Sequence, residues 1–74
     1  MQQTMPGQDV QFPVDNATYN LMTTLTEKLS ALETYATYME DAEGNEAQLY
    51  QELIDQDTRH AERIYEVLRD RMAR

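Results

Sequence analysis

The feature that most constrains the fold is a short break at residues 43–46, Glu-Gly-Asn-Glu, between two long stretches of helical periodicity. Gly44 suits the left-handed conformation that ends many helices, and Asn45 suits the cap of the next helix. The pattern predicts one helix over about residues 16–42, capped by Asp15 or Asn16, and a second over about residues 46–72. A connection this short makes the two helices antiparallel.

Apolar side chains recur in both stretches at steps of three and four residues, the spacing of a helix face that packs against a partner. The predicted seam of the first helix is Met22, Leu25, Leu29, Leu32, Ala36 and Met39. The predicted seam of the second helix is Tyr50, Leu53, Ile54, Ala61, Ile64, Leu68 and Met72. The fold class expected is all-α, an antiparallel two-helix hairpin.

The size of the chain adds an expectation about assembly. It has 74 residues and no cysteine, which excludes disulfides and thiolate metal sites. Chains of this size rarely bury enough apolar surface to be stable without a staple or a partner. Pairing two hairpins into a four-helix bundle increases the area that each chain buries, so the sequence predicts a homodimer, with higher assembly left open.

The charge of the chain bears on its partners and location. The net charge is −8, which disfavours nucleic acid and anionic membranes because both carry charge of the same sign. No apolar run approaches the length of a membrane span, and the N-terminus lacks a secretion signal, so we expect a cytoplasmic protein. Two domains are expected: a flexible leader at 1–14, whose Phe12 could dock on a protein partner, and the hairpin at 15–74.

One position breaks the second seam: Asp57 places a carboxylate where the period requires an apolar side chain. An unpaired buried carboxylate is costly, so the sequence predicts a partner for it. The candidates are His60 one turn on, a tyrosine hydroxyl, Lys28 or a metal ion. The register of the hairpin places Asp57 level with Ala31 and His60 level with Lys28.

The same region has the residue types of a metal site. Carboxylates and imidazoles that project into a bundle core are the ligands of di-metal carboxylate proteins. Glu33 lies close to the level of Asp57 and flanks the seam position of Leu32. A twofold axis through the middle of a dimer would gather two copies each of Asp57, His60 and Glu33, with Glu27 as the alternative to Glu33. No Ser-His-Asp set or phosphate-binding loop occurs in the sequence.

A family resemblance rests on these residues. The segments 57–63 (Asp-Thr-Arg-His-Ala-Glu-Arg) and 66–69 (Glu-Val-Leu-Arg) resemble the second helix of ferritin-like proteins, especially rubrerythrin-type domains and the short encapsulated ferritins. The likeness covers residues 16–72. It implies a helical hairpin that dimerises into a four-helix bundle. It also implies an iron site, because the family has Glu-x-x-His at the positions of Asp57 and His60 and a further glutamate on the first helix.

The sequence departs from the family pattern at two places. Asp57 is one methylene shorter than the family's glutamate, and the first-helix glutamate falls at or near Lys28. We therefore expect a small ferritin-like hairpin with an altered metal site and a mainly structural or interaction role. The alternative is a di-iron carboxylate protein that binds or oxidises iron, with the site formed between two chains by Asp57, His60 and Glu33.

Overall fold

The described part of the chain is a hairpin of two helices. A computed structural model describes residues 13–73, and these residues contain no strand. Helix α1 spans Asn16–Met39 and helix α2 spans Gly44–Met72. The predicted leader at 1–14 lies outside the described residues except for its last two positions.

The helices run antiparallel, as predicted. At the open end of the hairpin, Thr18 in the first turn of α1 accepts a hydrogen bond from Arg71 at the end of α2. At the closed end, the rings of Tyr38 and Tyr50 meet edge to face with centroids 6.0 Å apart. Contacts at both ends fix the register of one helix against the other.

The turn differs in detail from its prediction. Helix α1 ends at Met39 instead of residue 42, because the backbone N–H groups of residues 40–42 each bond to the carbonyl three residues back. These tighter bonds do not continue an α-helix, whose bonds reach four residues back. Gly44 is left-handed, with φ of +57°, but it begins α2 instead of ending α1. The predicted cap at Asn45 is therefore wrong; the cap position is Glu43, which makes no side-chain capping bond.

The face that α1 turns toward α2 also differs from the predicted seam. Leu25, Leu32 and Met39 are partly buried as expected. The exposed residues of the predicted seam are Met22, Leu29 and Ala36, while the partly buried residues in their place are Leu21, Lys28 and Tyr35. Lys28 bonds to Asp57, and Tyr35 packs against Tyr50 at 6.2 Å between ring centroids, which turns this side of α1 toward α2.

The seam of α2 follows its prediction more closely, yet the core it forms is small. Every predicted position except Met72, in the last turn, is buried or partly buried. Among the described residues, the apolar side chains classed as buried are Ala61 and Leu68. The two helices thus meet along a narrow seam and leave much of their apolar surface uncovered.

Candidate functional site

The candidate site is centred on Asp57, which α2 carries on the stripe that faces α1. Its side chain is 15% exposed, and its Oδ1 accepts a hydrogen bond from Lys28 Nζ at 3.2 Å. The ammonium group also supplies the opposite charge that a partly buried carboxylate needs. The prediction that Asp57 has a partner is therefore confirmed, and Lys28 is the partner among the candidates. The predicted register placed Asp57 level with Ala31. Its observed partner, Lys28, lies about one helical turn before Ala31.

His60 lies one helical turn after Asp57 and faces mostly water. Its Nδ1 is 3.9 Å from Asp57 Oδ1, beyond hydrogen-bond distance, and its side chain is 64% exposed. The imidazole is therefore available to solvent or to a second chain.

Glu33 does not join this pair within the chain. It follows Leu29 by four residues, so it lies on the side of α1 that bears Leu29 and is rotated away from Lys28. Glu33 is exposed. Glu27, the alternative ligand, lies closer: it lines a hollow of about 260 Å³ together with Thr24, Lys28, Ala31, Tyr35 and Asp57. The preference for Glu33 over Glu27 is thus not supported by the hairpin itself.

A metal ion at Asp57 would need further ligands close by and no competing cation. Within residues 13–73, no group of three or more histidine or carboxylate side chains is arranged to hold a metal. The ammonium group of Lys28 already lies against Asp57 and would repel a cation there. The side chains that a single chain places around Asp57 are therefore not suited to hold a metal ion. The site predicted between two chains, with Asp57, His60 and Glu33, stays a prediction.

The opposite side of the seam bears an apolar groove. The groove has a volume of about 270 Å³ and is lined by Leu25, Leu29, Leu32, Thr58, Ala61, Glu62 and Tyr65. The sequence reasoning assigned the three leucines to the contact with α2 and so missed the groove. The available signal was the number of apolar positions on α1, which form a stripe wider than one partner helix can cover.

A second polar contact joins the helices at the open end. Asp15 caps α1, since its Oδ1 accepts a hydrogen bond from Thr18 N at 2.9 Å. Its Oδ2 also accepts one from Arg71 Nη2 at 2.8 Å. Hydrogen bonds from the side chain and backbone of Thr18, together with the Arg71 guanidinium, lower the pKa of Asp15 from its ordinary value of 3.8. The sequence predicted the cap but not the bond to Arg71.

Comparisons with known proteins do not place the chain in a family. It matches no protein-family model, no curated protein and no solved structure. Membership of the ferritin-like superfamily therefore stays a prediction from the residues around Asp57.

Neither helix of the described region has an apolar stretch long enough to cross a membrane.

Proposed function

We propose that this chain is a self-associating helical hairpin with a mainly structural or interaction role, two copies of which form a ferritin-like four-helix bundle. The observation that carries the proposal is the amount of apolar surface the hairpin leaves uncovered. The large apolar side chains that are exposed are Tyr19, Met22, Leu29, Tyr38, Leu49, Tyr65, Val67 and Met72. Burial of such side chains is the main favourable term in folding and association.

The bond between Lys28 and Asp57 fits a structural role. A polar pair inside an otherwise apolar seam favours the register in which the pair forms, because any other register would bury a charge alone. The pair links two residues near the middle of the two helices. It can therefore fix how the helices align without taking part in a reaction.

The experiment for this proposal is sedimentation equilibrium of the full chain at micromolar concentration, with circular dichroism on the same samples. We expect a helical species of twice the chain mass of 8.7 kDa. Its unfolding midpoint should rise with chain concentration, as mass action requires for a dimer that folds with association. A helical monomer over the whole concentration range would contradict the proposal.

The alternative function, an iron-binding or iron-oxidising protein, is favoured by one observation. Three possible ligands lie near one another: His60 Nδ1 is 3.9 Å from Asp57 Oδ1, and Glu27 lines the hollow that contains Asp57. A second chain would have to supply the remaining ligands and displace Lys28. Thermal unfolding with added Fe(II) or Zn(II) separates the two functions: stabilisation by metal that His60→Ala abolishes would favour the alternative.

A further inference from the structure

We infer that the second copy docks in the apolar groove, groove against groove about a twofold axis, so that the side with Lys28 and Asp57 faces outward. This inference rests on the proposed self-association and adds which face carries it. The groove lies between the helices, with leucines of α1 on one wall and Ala61 and Tyr65 of α2 on the other.

The shape of the groove suits a copy of the same chain. The α1 wall carries a large projecting side chain, Leu29, which is 50% exposed. The α2 wall carries two small residues, Thr58 and Ala61, beside two large ones, Glu62 and Tyr65. A twofold interface pairs each patch with itself, so each copy must offer both a projection and a depression. The groove offers both.

The charge of the chain also points to this face. Two copies with a net charge of −8 each repel one another, so a stable contact needs a surface with few carboxylates. The groove is lined by one charged residue, Glu62, and by six uncharged ones. The hollow on the other side is lined by Glu27, Lys28 and Asp57, and its polar groups would lose water on docking.

The groove and the polar hollow lie on different sides of the seam. Leu29 is a wall of the groove, whereas Lys28, the preceding residue, bonds to Asp57 in the hollow. On α2, Thr58 lines the groove and Asp57 lines the hollow. When two copies meet through the groove, their Asp57 side chains stay on the outside and do not converge. The inferred dimer is thus incompatible with a metal site shared between the two copies.

The first test compares two leucines of equal exposure. Leu29 in the groove is 50% exposed and Leu49, which does not line the groove, is 51% exposed. We expect Leu29→Glu to weaken dimerisation by on the order of 100-fold or more, because it places a charge in the apolar contact, and Leu49→Glu to leave it nearly unchanged. Sedimentation equilibrium measures both. A dimer weakened by Leu49→Glu but not by Leu29→Glu would overturn the inference while leaving self-association intact.

The second test does not depend on a disruptive variant. The chain has no cysteine, so a single introduced thiol reports on one position. Thr58→Cys places it in the groove, and Thr24→Cys places it in the hollow on the other side. In the dimer we expect a maleimide to label the Thr58 position at least about tenfold more slowly than the Thr24 position, since docking excludes the reagent. Equal rates, or protection at Thr24 alone, would overturn the inference.

These outcomes also separate the inference from the proposed function. If the unmodified chain sediments as a helical monomer, self-association itself is wrong and the choice of face falls with it. If the chain is a dimer but the groove position is labelled freely, self-association holds and only the choice of face is wrong.

Discussion

On one side of the hairpin, Lys28 and Asp57 bond to each other across the seam, while on the other, Leu29 stands half-exposed above an apolar groove. Lys28 and Leu29 are consecutive residues of the same helix, yet they face environments of opposite kinds. The charged residue has its partner within the chain. The apolar residue has not been covered.

This difference shows which side of the molecule depends on a partner. A single carboxylate and a single ammonium group can satisfy each other, because an ion pair needs only two groups at the right distance. Apolar burial is not directional and grows with the area covered, so a narrow hairpin cannot complete it alone. The polar side, with Lys28 and Asp57, is therefore satisfied within one chain. The apolar side, with Leu29, still needs a partner to cover it.

The largest effect on the stability of the fold is expected when Lys28 loses its ammonium group. Lys28→Met keeps most of the apolar stem but leaves Asp57, at 15% exposure, without its hydrogen-bond donor. We expect the free energy of unfolding to fall by about 1–3 kcal/mol, measured by urea denaturation at fixed chain concentration. Arg59→Met, at an exposed position of α2, is the control and should change it by less than about 0.5 kcal/mol. An equal fall in the free energy of unfolding in both variants would show that the bond between Lys28 and Asp57 does not stabilise the hairpin.

A smaller effect, of opposite sign, is expected when the carboxylate is replaced. Asp57→Leu restores the apolar period of α2, and the partly exposed Lys28 can turn its charge to water. We expect the free energy of unfolding to stay the same or to rise by up to about 2 kcal/mol, with the dimer retained. Loss of the fold would instead show that the carboxylate has a role that the hairpin does not explain.

The smallest effect is expected at the open end, where the pKa of Asp15 is lowered in the folded chain. A lowered folded-state pKa stabilises the fold above the unfolded value, near 3.8, and this stabilisation is lost as the pH falls through the folded value. Asp15→Asn should therefore lower the melting temperature slightly near neutral pH and cause little difference in strong acid.

Thermal unfolding of both chains over this pH range checks the expectation. Asp41→Asn, at an exposed position of the turn, controls for the loss of one negative charge. Because Asp15 lies at the end of the hairpin and away from the groove, its substitution should leave the dimerisation constant unchanged. An equal pH dependence in the chain and in Asp15→Asn would count against the contact with Arg71.

Much of the hairpin could be predicted because its signals are local. Helical periodicity gave both helices, the left-handed Gly44 gave the turn, and Asp15 was one of two candidates for the first cap. These features depend on a few neighbouring residues and on the intrinsic conformational preferences of glycine and aspartate.

The rotation of α1 could not be predicted because it depends on contacts between distant residues. Leu29 and Lys28 each belong to a stripe of residues at helical spacing, and either stripe could face α2. Lysine can lie in such a seam because its stem is aliphatic. The choice between them is made by Asp57 and Tyr50 on the other helix. For the same reason the groove was missed.

The turn of the hairpin has a consequence for how two hairpins are oriented. Glu40, Asp41, Glu43 and Glu46 concentrate negative charge where the chain reverses direction. If the turns of two copies lay side by side, their carboxylates would repel strongly. At opposite ends of a bundle, the two turns are separated by about 36 Å, the length of 24 helical residues. This distance is several screening lengths in physiological salt. The charge of the turn thus favours an antiparallel arrangement of the two hairpins over a parallel one.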